Sequence, residues 1–61
     1  MIKLKNLLEE SGSLTIKFYS FHTLDMEYEK FDLIQAKEII NYGINHQYLV
    51  TVNGERFSGL I

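Results

Sequence analysis

The chain contains no cysteine, which excludes disulfide bonds, thiolate zinc sites and cysteine nucleophiles together. Basic residues are few: six Lys and Arg against eight Asp and Glu, for a formal charge of −2. Such a surface lacks the clustered cations that broad phosphate binding needs. Glycine is not clustered either. Gly12, Gly43, Gly54 and Gly59 form neither G-x-G-x-x-G nor G-x-x-x-x-G-K-[ST], so no phosphate cradle is written into the sequence. No apolar run reaches the roughly 18 residues of a membrane span. Residues 1–8 carry lysines but no true h-region or small-residue cleavage site. A cytoplasmic location without membrane attachment is the resulting expectation.

What is present suits one globular domain: 61 residues, 46% hydrophobic and 13% aromatic, with no room for a linker and no sign of disorder. A chain this short buries only about 60% of its unfolded surface. The apolar part contributes on the order of 95 kcal/mol at about 25 cal/mol per Å², an upper bound. Ordering the chain at roughly 1.5 kcal/mol per residue costs about the same. Small domains escape this near-zero balance through disulfides, metals or association. With disulfides excluded, a homo-oligomer is the expectation.

Leu4, Leu7 and Leu8 fall at i, i+3 and i+4, the spacing of a short first helix, which Ser11-Gly12-Ser13 should end. Lys3 and Lys5 near its start and Glu9 and Glu10 near its end oppose the helix dipole, so this helix must lean on tertiary packing. A strand over residues 2–5 is the alternative. The segments LTIKFYSF, residues 14–21, and MEYEKF after Asp25 are β-branched, aromatic and alternating, and read as a hairpin. A one-residue slip turns every side chain over. An odd-length loop around His22-Thr23-Leu24 is therefore expected, because it places Ile16 and Phe18 on one face with Met26 and Tyr28. The opposite face then carries Lys17, Tyr19 and Phe21 beside Asp25, Glu27 and Glu29, with Lys17 meeting Glu29 across the strands.

Asp32 followed by Gln35 resembles a capping box, and Leu33, Ala36 and Ile40 give an apolar stripe for a second helix. Gly43 is expected to stop it, with Ile44 touching Ile39 or Ile40 in a Schellman arrangement. After the Asn45-His46 link, QYLVTV and ERFSGLI flank Asn53-Gly54, the signature of a two-residue type I′ turn. That turn places Val50 opposite Phe57 and Tyr48 opposite Gly59. It leaves Leu49, Leu60, Thr51, Arg56 and Ser58 on the other face. The predicted fold is α+β in the order αββαββ: a small antiparallel sheet of two hairpins with helices on one face.

No residue set carries recognisable chemistry. The histidines, 24 positions apart, have no ligand-spaced partner, and His22 with Asp25 reads more simply as a solvated loop tip than as a metal site. His46 follows a helix terminus, where the dipole favours a protonated imidazole. Ser11, Ser13, Ser20 and Ser58 lack a G-x-S-x-G context or an oriented histidine. Asp25, Glu27 and Glu29 alternate on a strand, a pattern shared by paired carboxylates and by ordinary solvated faces. No catalytic residue, cofactor or metal site is assigned, and the chain is not expected to be an enzyme.

The outer sheet face stands out. Tyr19, Phe21, Leu49 and Leu60, with Lys17, Asp25, Glu27, Glu29 and Arg56 around them, have the apolar centre and charged rim of a protein interface. The expected function is a protein-interaction module, a small regulator or inhibitor that occludes a partner surface and self-associates. The alternative is single-stranded nucleic-acid binding, since the run Lys17-Phe18-Tyr19-Ser20-Phe21 interleaves a cation with aromatic rings on which bases can stack.

Overall fold

A computed structural model describes residues 4–57. Helix α1 (Leu4–Ser11) leads into strands β1 (Leu14–Ser20) and β2 (Thr23–Lys30), then helix α2 (Leu33–Asn45) and strands β3 (Leu49–Val52) and β4 (Glu55–Phe57). The αββαββ order and α+β class are those expected. All neighbouring strands are antiparallel, in the order β2-β1-β3-β4. Strands β2 and β3 therefore run the same way with β1 between them, and α2 carries the chain from the β2 edge back to β3.

Local chemistry explains most boundaries. Residues 4 and 5 are helical, which removes the strand alternative there. Gly12, at φ 79°, donates its N–H to the Leu8 carbonyl at 2.8 Å and so caps α1. Asp32 takes an extended conformation and its carboxylate accepts the Ile34 N–H at 2.8 Å, satisfying one of the free donors that open α2. Asn53 and Gly54, at φ 51° and 83°, make the expected two-residue turn, and Val50 stands opposite Phe57.

Three expectations are corrected. Helix α2 does not stop at Gly43. Its Schellman cap lies one turn later, where Gln47 at φ 64° donates to the Ile44 carbonyl at 3.0 Å and Tyr48 donates to the Gly43 carbonyl at 2.9 Å. Gly43 serves close packing instead: a Cβ there would meet Phe18 Cε1 at 2.5 Å and Cζ at 2.6 Å. The first hairpin has an even turn, Phe21-His22, with Thr23 and Leu24 already in β2. A β-bulge restores the parity, because Phe18 pairs with Met26 while Tyr19 pairs with Leu24, leaving Asp25 as the extra residue. The face assignment of Ile16 and Phe18 thus holds by a different route. Finally, Lys17 stands opposite Glu27 rather than Glu29, whose partner is Thr15.

The alternation of β1 decides where the core sits. Leu14, Ile16 and Phe18 are fully buried, as are Val50 and Val52 beside them on β3. Leu4 of α1 and Ala36 and Ile40 of α2 join the same cluster, so both helices pack against this face. Phe18 is its centre. Its ring stacks on Tyr48 with centroids 5.2 Å apart and meets Tyr28 edge-on at 5.5 Å, a geometry aromatic pairs favour. Among the described residues no buried side-chain polar atom lacks a partner.

Candidate functional site

The residues between the buried ones on each strand form the opposite face, which no helix among the described residues covers. Register arranges them in rows. Leu24, Tyr19 and Leu49 make an apolar row across β2, β1 and β3. The next row runs Glu27, Lys17, Thr51, Arg56 across all four strands, and beyond it Glu29 faces Thr15. Same-face rows lie about 7 Å apart along a strand, so the apolar and charged rows are adjacent. The face is also polarised sideways, with carboxylates on the β2 edge and a guanidinium on β4.

Above the apolar row stands the Phe21-His22 turn. Phe21 and His22 sit at φ 50° and 68°, in the left-handed region that costs an ordinary L-residue about 1–2 kcal/mol. Phe21 is 97% exposed. Tyr19, Phe21, His22, Leu49, Thr51 and Arg56 line a shallow depression of about 590 Å³ on this side. An aromatic ring held in solvent on a strained turn stabilises nothing in the monomer, and strain of this kind persists where the surrounding structure imposes it, often at functional positions.

The sequence-predicted surface is therefore largely brought together, with adjustments. Lys17, Tyr19, Glu27, Glu29, Leu49 and Arg56 share the open face. Phe21 belongs to the turn at its end rather than to the strand, and Asp25 occupies the bulge, exposed at the sheet edge. Glu29 accepts a hydrogen bond from the Ser13 hydroxyl at 3.3 Å, which ties it to the loop after α1. Leu60, Ser58 and Gly59, with the expected Tyr48–Gly59 pairing, lie outside the described residues.

Leu24 is the member that sequence reasoning missed, because Phe-His carries no turn signature and the loop was placed around Leu24 itself. A second exposed apolar set lies on and before α2. Phe31 and Ile34 are each 69% exposed, and Tyr42 stacks on His46 at 4.0 Å while the His46 Nδ1–H donates to the Tyr42 carbonyl at 2.8 Å. Among the described residues no three His, Asp or Glu side chains are grouped to hold a metal ion, and no helix is long and apolar enough to cross a membrane. The chain matches no protein-family model, no curated protein and no solved structure.

Proposed function

We propose that the protein is an interaction module that acts by covering a partner surface rather than by catalysis, and that the open sheet face is the surface it uses. The observation that carries this is the apolar row Leu24, Tyr19, Leu49, continued by the exposed Phe21, beside a row of charges. Leu24 and Leu49 are 45% and 39% exposed, which forgoes burial that a chain this small has reason to use. Aromatic anchors with a charged rim are the usual make-up of a protein interface.

Truncating either side of the sheet tests it. Tyr19→Ala and Leu49→Ala should each shift stability by less than about 1 kcal/mol while weakening partner binding or self-association about tenfold, which corresponds to about 1.4 kcal/mol. Phe18→Ala, on the buried face, should lose about 3–5 kcal/mol. Denaturant midpoints and a binding isotherm read both quantities. Unfolding by Tyr19→Ala with a harmless Phe18→Ala would invert the assignment of the faces.

Tyr19, Phe21 and Arg56 around one depression favour a second reading, stacking of single-stranded nucleic acid. Glu27 and Glu29 on the same face oppose it. Oligonucleotide binding that weakens steeply with salt would mark that alternative.

A further inference from the structure

We infer that the partner is a second copy of this chain, seated on the open sheet face about a twofold axis that runs parallel to the strands between β1 and β3. The inference is carried by charge complementarity in the register, and it rests on the interaction face proposed above.

Two sheets packed face to face keep their strands within about 30° of alignment. A twofold axis parallel to the strands reverses the strand order across the interface and leaves each row facing itself. With the axis between β1 and β3, strand β2 of one copy lies over β4 of the other, and β1 over β3. The charged row Glu27, Lys17, Thr51, Arg56 then meets its own reverse. Glu27 faces Arg56 of the second copy, Lys17 faces Thr51, and the contacts repeat on the other side of the axis. In the apolar row Tyr19 faces Leu49. Every charge on the row meets an opposite charge or a hydroxyl.

The other aligned arrangements that overlap three strands fail on the same register, and those that overlap only two cover less of the face. An axis along β1 sets Lys17 on Lys17, and an axis along β3 sets Lys17 on Arg56. An axis across the strands lays β2 on β2: at or between the Glu27 and Glu29 rows it stacks carboxylates on each other, and on the apolar row it leaves Glu27 and Lys17 with no opposite charge to meet. Like charges juxtaposed at an interface are strongly disfavoured, and together with the extent of overlap and the pairing of Glu27 with Arg56 this favours the register. Edge-to-edge association through β2 is opposed in the same way. Any antiparallel β2–β2 pairing centred within residues 25–29 that keeps both helical faces on one side puts members of Asp25, Glu27 and Glu29 beside one another. Glu27 and Arg56 are both exposed and available to a partner. The molecule extends only 31 × 20 × 18 Å, so one face offers at most the roughly 800 Å² per partner of a standard interface, much of it charged or polar. The dimer should accordingly be weak and concentration-dependent.

Charge reversal followed by mixing tests the pairing. Glu27→Arg and Arg56→Glu each place like charges across the axis twice and should weaken the homodimer about tenfold or more. In an equimolar mixture of the two variants every such pair becomes complementary again, so a heterodimer of near wild-type strength should form. Sedimentation equilibrium over about 1 μM to 1 mM, with native mass spectrometry to identify the species, reads this out. Recovery on mixing also shows that neither variant is misfolded.

A wild-type chain that stays monomeric throughout overturns the second copy as occupant, while the interaction face is then judged by Tyr19→Ala against another partner. A dimer indifferent to both charge reversals but dissociated by Leu49→Ala overturns the register and leaves the face standing. A dimer indifferent to all three variants overturns both.

Discussion

The two hairpins turn in the same way and are built from opposite materials. Each has a two-residue turn with both φ angles positive, Phe21-His22 in one and Asn53-Gly54 in the other. Asn-Gly is the pair that tolerates this geometry best, and its asparagine is also anchored. Asn53 donates its N–H to the Thr15 carbonyl at 2.9 Å, its side-chain oxygen accepts the Thr15 N–H at 2.8 Å, and its Nδ2 donates to the Ser13 carbonyl at 3.2 Å. The second turn therefore pins β3 to the start of β1. Phe21-His22 has neither advantage: neither residue tolerates left-handed backbone as glycine does, Phe21 least of all, and Phe21 projects into water. A turn that tightens the fold and a turn that only tolerates it indicate where stability is held and where surface is displayed.

Breaking the anchored turn should have the largest effect. Asn53→Ala removes the acceptor for a half-buried N–H and the residue type suited to its φ, and should cost about 2–3 kcal/mol. Denaturant midpoints would show it, and an unchanged midpoint would mean that the link to β1 contributes nothing. Gly54→Ala keeps that link and strains only the backbone. No atom lies within 4 Å of a Cβ at this site, so the loss should be purely conformational and about 1 kcal/mol. The smallest effect has the opposite sign. Phe21→Asn combined with His22→Gly relieves the first turn and should raise stability by about 0.5–1 kcal/mol, while weakening association if Phe21 is part of the interface. A double variant that is less stable would show that the Phe21 ring supports the fold.

The fold was legible in the sequence wherever period and punctuation agreed. Alternation in β1 separated Ile16 and Phe18 from Lys17 and Tyr19, Asp32 marked the start of α2, and Asn-Gly set the register of the second hairpin. It was illegible where one residue type serves two purposes. Gly43 reads as a helix stop, yet it lies within the last turn of α2 against the Phe18 ring, and only the packed structure distinguishes a glycine needed for closeness from one needed for backbone freedom. The true stop uses Gln47 at positive φ, a position its side chain does not advertise. The same ambiguity hid Leu24. A Phe-His turn has no signature, and a bulge changes parity silently, so the right face was reached through the wrong loop. Of the open surface, the strand members Lys17, Tyr19, Glu27, Glu29, Leu49 and Arg56 follow from alternation alone, whereas their order across the sheet required β3 to be placed beside β1.

The bulge at Asp25 gives the first hairpin an uneven tolerance to changes in chain length. Without Asp25 the pairs Tyr19–Leu24 and Phe18–Met26 become consecutive rungs of an unbroken ladder, and Ile16 still meets Tyr28. Loss of one residue at Glu27 instead moves Tyr28 across the sheet and carries its ring away from Phe18. A single-codon deletion should thus be far better tolerated at Asp25 than two positions further on. Tolerance to a change in length should therefore be confined to the bulge, near the exposed turn, where a bulge re-aims the strand end without moving the core register.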